Sequence, residues 1–215
     1  MLERLTSPCT RRAKTHARDG RRQADKVIHL VGPGGAGKST VGSALASRLD
    51  LLFIDLDLEF MEHIGDISHH IDHRGYHSYA SENVRLCLSI MATHRHGVIA
   101  LSSGFMAYPE SVHPAYPALR SDICTSPTTF VLLPSLDLEA CVDEIVRRQV
   151  ARSIGRTPER EEAVIRERHT IYMAIPATKI ETMRPVTEIV EQMIAQLSPN
   201  NVFDRSRRFE SPNVT

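Results

Sequence analysis

The chain has 215 residues, enough for a single domain with a full core. Hydrophobic residues make up 41% and charged residues 24%, and Lys plus Arg equal Asp plus Glu at 26 each, so no global field points to nucleic acid or a membrane surface. No apolar run approaches the roughly 18 residues of a membrane span, the first residues lack the apolar core of a secretory signal, and Cys9, Cys87, Cys124 and Cys141 have no C-x-x-C spacing; a cytoplasmic protein with reduced thiols is expected.

Residues 1–25 carry Arg11, Arg12, Lys14, Arg18, Arg21 and Arg22 with few apolar residues, and read as a flexible basic extension. A nucleic-acid arm and an organellar presequence are the sharper alternatives for this stretch. The domain proper is expected over residues 26–198. Val27-Ile28-His29-Leu30-Val31 is an apolar strand that runs into Gly32-Pro33-Gly34-Gly35-Ala36-Gly37-Lys38-Ser39-Thr40, and an amphipathic helix leaves it. From Gly32 to Ser39 this is G-x-x-x-x-G-K-[ST], the phosphate-binding loop, in its required setting of strand, glycine turn and helix. Glycines let backbone N–H groups turn inward on a triphosphate, so Gly34, Gly35, Ala36, Gly37, Lys38, Ser39 and Thr40 are the expected ATP contacts. Lys38 reaches the outer phosphates as a point charge, and the Ser39 hydroxyl joins the shell of Mg²⁺.

Leu51-Leu52-Phe53-Ile54 is a second short strand, read as continuing extended through Asp55-Leu56-Asp57, so that both carboxylates face one site. One would serve the magnesium water shell and the other the acceptor hydroxyl; solvent-facing helix caps are the plain alternative. Residues 63–77 are dense in histidine. A helix there would align His69, His73 and His77, a spacing that binds zinc, although a hydrated face explains it as well.

Gly97 to Leu101 is a third strand, ending in the small residues Ser102-Ser103-Gly104, beside which a substrate can approach the backbone. Pro109, Pro114 and Pro117 mark a polar connection, and Thr129 to Leu133 is a fourth strand. A helix follows from about Leu136 to Val150 with Arg147 and Arg148 in its last turn, and Arg152, Arg156 and Arg160 beyond it suit a closing lid around residues 150–165, with a solvated basic loop as the plain alternative. A helix over 161–174, a strand over 178–183 and a helix over 186–197 complete the pattern, and residues 199–215 read as a disordered tail. Strands alternating with helices predict an α/β fold of the P-loop NTPase type, a five-stranded parallel sheet sandwiched by helices.

Over residues 27–197 this order resembles the shikimate kinase family. The phosphate loop, then Asp55-x-Asp57, then Gly65, then Arg168-x-x-x-Tyr172 match that family's motifs in sequence. The resemblance implies a kinase acting on ATP and a small-molecule hydroxyl acceptor. Ser39 and Asp55 would set magnesium, Asp57 would hold and deprotonate the acceptor, Arg152 would reach the transferred phosphoryl group, and Arg168 would bind the acceptor's carboxylate. Ser102, Ser103 and Gly104 stand where the family has three glycines against the substrate, and Gly75-Tyr76-His77-Ser78-Tyr79-Ala80 stands where it has G-E-x-x-F-R. The arginine that pairs with the substrate carboxylate is therefore replaced by Ala80, which leaves Arg74 or His77 to compensate. The acceptor is read as shikimate or a related polyol or hydroxy acid. A metabolite sensor without turnover and a gluconate or nucleotide kinase are the alternatives. A monomer is expected, with no membrane and no nucleic-acid partner.

Overall fold

The computed structural model describes residues 26–151 and 157–197. The basic extension, the tail over 199–215 and the lid residues Arg152 and Arg156 lie outside the described residues.

Five short apolar segments form the sheet: β1 (Lys26–Val31), β2 (Phe53–Asp55), β3 (His96–Ala100), β4 (Thr129–Leu133) and β5 (Thr178–Glu181). Their order is β2-β3-β1-β4-β5, and every pair is parallel. The central strands β1 and β4 are nearly continuous runs of buried side chains, as both faces of a parallel sheet require. Edge strand β5 buries only Ile180. Chain order reverses direction across the sheet at β1, so the crevice beyond its carboxyl end is the natural ligand position. The phosphate loop leaves β1 at that point.

Seven α-helices flank the sheet among the described residues: α1 (Lys38–Leu49), α2 (Leu56–His63), α3 (Ile67–Thr93), α4 (Tyr116–Thr125), α5 (Leu138–Val150), α6 (Pro158–Ala174) and α7 (Val186–Leu197). α1 packs with α7, α2 with α3 and α5 with α6. None is long and apolar enough to cross a membrane.

Two expectations change here. The proline-marked segment is not a polar connection. It folds into two 3₁₀ turns and α4, and it buries Phe105, Met106, Tyr108, Val112, Tyr116, Leu119 and Ile123. Apolar residues between the prolines supply the packing, and the Tyr116 hydroxyl fixes it by donating to the Phe105 carbonyl at 2.6 Å. The histidine stretch does form α3, but Gly75 adopts φ 83° and ψ 160° inside it. That residue bends the helix between His73 and His77, so the three imidazoles do not share one row. His69 and His73 stack at 3.9 Å, whereas His70 turns inward to meet Ser78 at 3.2 Å.

Candidate active site

Among the helix starts, α1 is built differently from α2, α3, α5 and α6. Those four take side-chain caps from Asp55, Asp66, Asp137 and Thr157. α1 begins at Gly37 in a left-handed conformation with no side-chain cap, so its first N–H groups are left for an anion. Gly32 sits at φ 150°, and a Cβ there would collide with the Leu132 carbonyl of neighbouring β4. Lys38 is 9% exposed, and its ammonium donates to the Gly32 and Pro33 carbonyls at 2.7 and 3.0 Å.

The loop is braced from α5. Arg148 donates to the Gly35 carbonyl at 2.9 Å and to Glu144 at 2.6 Å. Arg147, and after it Arg148, holds the Glu144 carboxyl down at about 2. Arg148 is thus part of a brace on the loop, while Arg147 is exposed and paired with the same glutamate.

Asp55 ends β2 and caps α2. One carboxylate oxygen accepts from the backbone of Asp57 at 3.0 Å and of Leu58 at 3.4 Å, and the other accepts from the Ser39 hydroxyl at 2.5 Å. The extended reading through Asp57 is corrected: Asp57 lies in the first turn of α2, and Asp55 is itself the helix cap. Both acids nonetheless line one cavity of about 200 Å³ with Gly34, Lys38 and Ser39, because the cap turns the chain back across the loop.

A larger cavity of about 480 Å³ adjoins it and shares Gly34, Asp57, Ser103 and Gln149 with the smaller one. Gly104, Tyr76, Tyr79, Arg160 and Arg168 line it as well. Arg168 donates to the Ser103 carbonyl and to the Tyr76 hydroxyl, both at 3.3 Å, and Tyr172 also donates to Ser103. The Tyr79 hydroxyl donates to Asp57 at 3.3 Å. Burial, and then the Asp57 charge, push this phenol's pKa well up, so it remains a donor.

The expected residues divide as follows. Gly34, Gly35, Gly37, Lys38, Ser39, Thr40, Asp55, Asp57, Ser103, Gly104 and Arg168 line one or other cavity. Ala36 is fully buried behind the loop. Ser102 lines neither cavity; it is 2% exposed and accepts from Asn83 at 2.9 Å. Arg152 lies outside the described residues. His69, His73 and His77 gather no ligand set; among the described residues the group close enough to hold a cation is the half-buried Glu59 with the exposed Glu62 and His63.

Sequence reasoning singled out neither Tyr76 and Tyr79 nor Gln149 as site residues. The tyrosines were visible at helical spacing directly after Gly75, but their partners Arg168 and Asp57 lie 92 and 22 residues away in the chain.

A sequence model of the shikimate kinase family matches residues 34–198. A shikimate kinase from Thermobifida fusca is 26% identical over 171 residues, spanning 79% of this chain and 93% of its own. One from Francisella tularensis subsp. novicida is 28% identical over 161 residues, spanning 73% and 85%. In three dimensions the fold is similar to that of the Acinetobacter baumannii shikimate kinase solved in complex with shikimate, with a TM-score of 0.61 at 22% identity, covering 86% of this chain and 96% of that one. The phosphate loop from Gly34 onward, the capped Asp55 and the arginine on α6 thus fall within a matched span of more than half the chain, and the chain belongs to the shikimate kinase family.

Proposed function

We propose that this kinase moves the γ-phosphoryl group of ATP to a hydroxyl of shikimate or a related small hydroxy acid or polyol in the cytoplasm. The observation that carries the reading is the shared wall: Asp57, Ser103, Gly34 and Gln149 border both the loop cavity and the larger one, so a donor and an acceptor bound in the two would meet at Asp57.

Each group then has a physical task. Loop N–H groups and Lys38 offset charge on the phosphates, and Asp57 holds the acceptor hydroxyl and takes its proton. Tyr79 keeps the Asp57 carboxylate oriented. Ser39 and Asp55 would hold Mg²⁺: they form an all-oxygen pair beside the loop, the donor chemistry that a hard divalent cation takes. When bound, that ion supplies charge neutralisation between the phosphates. Positioning and electrostatics account for such a transfer without a covalent nucleophile.

The test is ADP release by the purified protein with a panel of hydroxy acids and polyols. Lys38→Ala is expected to lower kcat/KM about 1,000-fold, and Asp57→Asn to lower kcat about 100-fold or more with ATP binding intact. Tight metabolite binding with no ADP release would instead favour a sensor, and unchanged phosphorylation in both variants would refute the roles assigned.

A further inference from the structure

The acceptor end has lost an arginine relative to its family pattern, and the residues able to replace it are restricted by geometry. Ala80 is fully buried and carries no polar group. Arg74 and His77 are exposed, and neither lines the larger cavity. Tyr76 does line it, next to Arg168.

The hydrogen bonding of Tyr76 is directional. Its hydroxyl oxygen accepts from Arg168 Nη2 at 3.3 Å. A phenol has one proton to donate besides the lone pairs that accept, and among the described residues nothing accepts that proton. Arg168 is held from the other side by the Ser103 carbonyl, which leaves its remaining N–H donors for the cavity. Space for this pair comes from Gly104, where a Cβ would collide with the Tyr76 hydroxyl and reach contact with Arg168 Nη2 at 3.4 Å.

We infer that Tyr76 and Arg168 together form the acceptor's anion site, the guanidinium binding one oxygen of a carboxylate and the Tyr76 hydroxyl donating to the other. The Tyr76–Arg168 pair itself brings a single positive charge, matched to one carboxylate, while Arg160 lines another part of the same cavity. Burial is the main influence on the Tyr76 phenol, and the nearby Asp57 and Glu167 charges add to it; together they outweigh Arg168 and raise its pKa above the ordinary value. The hydroxyl therefore stays protonated at working pH and remains a donor. This inference rests on the proposed function in taking the larger cavity as the acceptor's.

The experiment measures binding directly, by calorimetry, with shikimate and its uncharged methyl ester as probes and with phosphorylation assayed separately. In the wild-type protein the acid binds more tightly than the ester. In Tyr76→Phe the acid is expected to weaken about 10-fold while the ester and ATP change by less than about twofold. Arg168→Met, with a similar apolar stem, is expected to remove the preference for the acid altogether. Equal weakening of acid and ester would assign Tyr76 a purely shape-filling role and overturn the inference. So would an unchanged acid affinity, or a wild-type protein that does not prefer the acid. A preference for the acid that Tyr76→Phe removes, in a protein that never releases ADP, would support the anion site and sink the kinase reading, so the two fail separately.

Discussion

The phosphate loop and the larger cavity proposed for the acceptor lie side by side at the carboxyl edge of one sheet, yet they are built from different materials. The cradle is mainly backbone, supplied by adjacent residues 32–40, with Lys38 folded back onto carbonyls of the same loop. The larger cavity is mainly side chain, gathered from α2, α3, the turn after β3, α5 and α6, with Pro33 and Gly34 of the loop at its border. A backbone site depends on conformation, so its sequence must keep glycines at fixed spacing. A side-chain site can be remade one residue at a time on an unchanged frame, and Tyr76, Tyr79, Ala80 and Ser103 show where this one departs from its family's pattern.

If that contrast holds, the largest response should come from adding one methyl group to the cradle. In Gly32→Ala the new Cβ would meet the Leu132 carbonyl, which is backbone of a central strand and has nowhere to go. The residue would also have to hold φ 150°, which side chains rarely adopt. Loss of about 2 to 3 kcal/mol of stability is expected, together with loss of ATP binding. Chemical denaturation and nucleotide titration measure the two. A Gly32→Ala variant that folds and binds ATP normally would break the comparison on its firmer side.

The same contrast explains what the sequence made legible. Glycine spacing, the apolar strands and the amphipathic face of α7 are local signals, and the five-stranded parallel sheet followed from them. Asp57 was misplaced because Leu-Asp-Leu alternation imitates a strand, whereas the cap made by Asp55 starts a helix at Leu56. Residues 105–123 were misread because their prolines outweighed the apolar residues between them. The role of Tyr76 could not be read from its own stretch, since it depends on Arg168, 92 positions away. Long-range pairing of side chains leaves no periodic trace in the chain.

A middle-sized effect is expected at Tyr79, where the family pattern carries phenylalanine. Tyr79→Phe removes the donor to Asp57 but leaves Asn83 its shorter bond to Ser102, at 2.9 Å. The ring keeps its edge contact with Phe60, so packing is little disturbed. A fall in kcat of about 5- to 10-fold is expected, with ATP affinity unchanged. Steady-state kinetics at saturating ATP decide it. No change in kcat would mean that Asp57 is held well enough by α2 alone.

The smallest effect should come from Gly104→Ala, and its smallness is itself informative. As at Gly32, an added Cβ would collide with a neighbour, but here the neighbour is the Tyr76 hydroxyl, the tip of a side chain that is 42% exposed and free to swing outward. The Tyr108 ring at 3.2 Å is less yielding, being 5% exposed, so the displacement falls on Tyr76 and with it on the contact to Arg168. Stability is therefore expected to fall by less than about 1 kcal/mol, and binding of an acidic acceptor to weaken only a few-fold, by about 3- to 5-fold. Calorimetry on the acid and its ester separates this from a general loss of cavity shape, because a displaced Tyr76 lowers affinity for the acid alone. Two glycines at the same sheet edge would then respond to the same methyl group in different ways, one by losing the fold of its loop and the other by losing part of a preference.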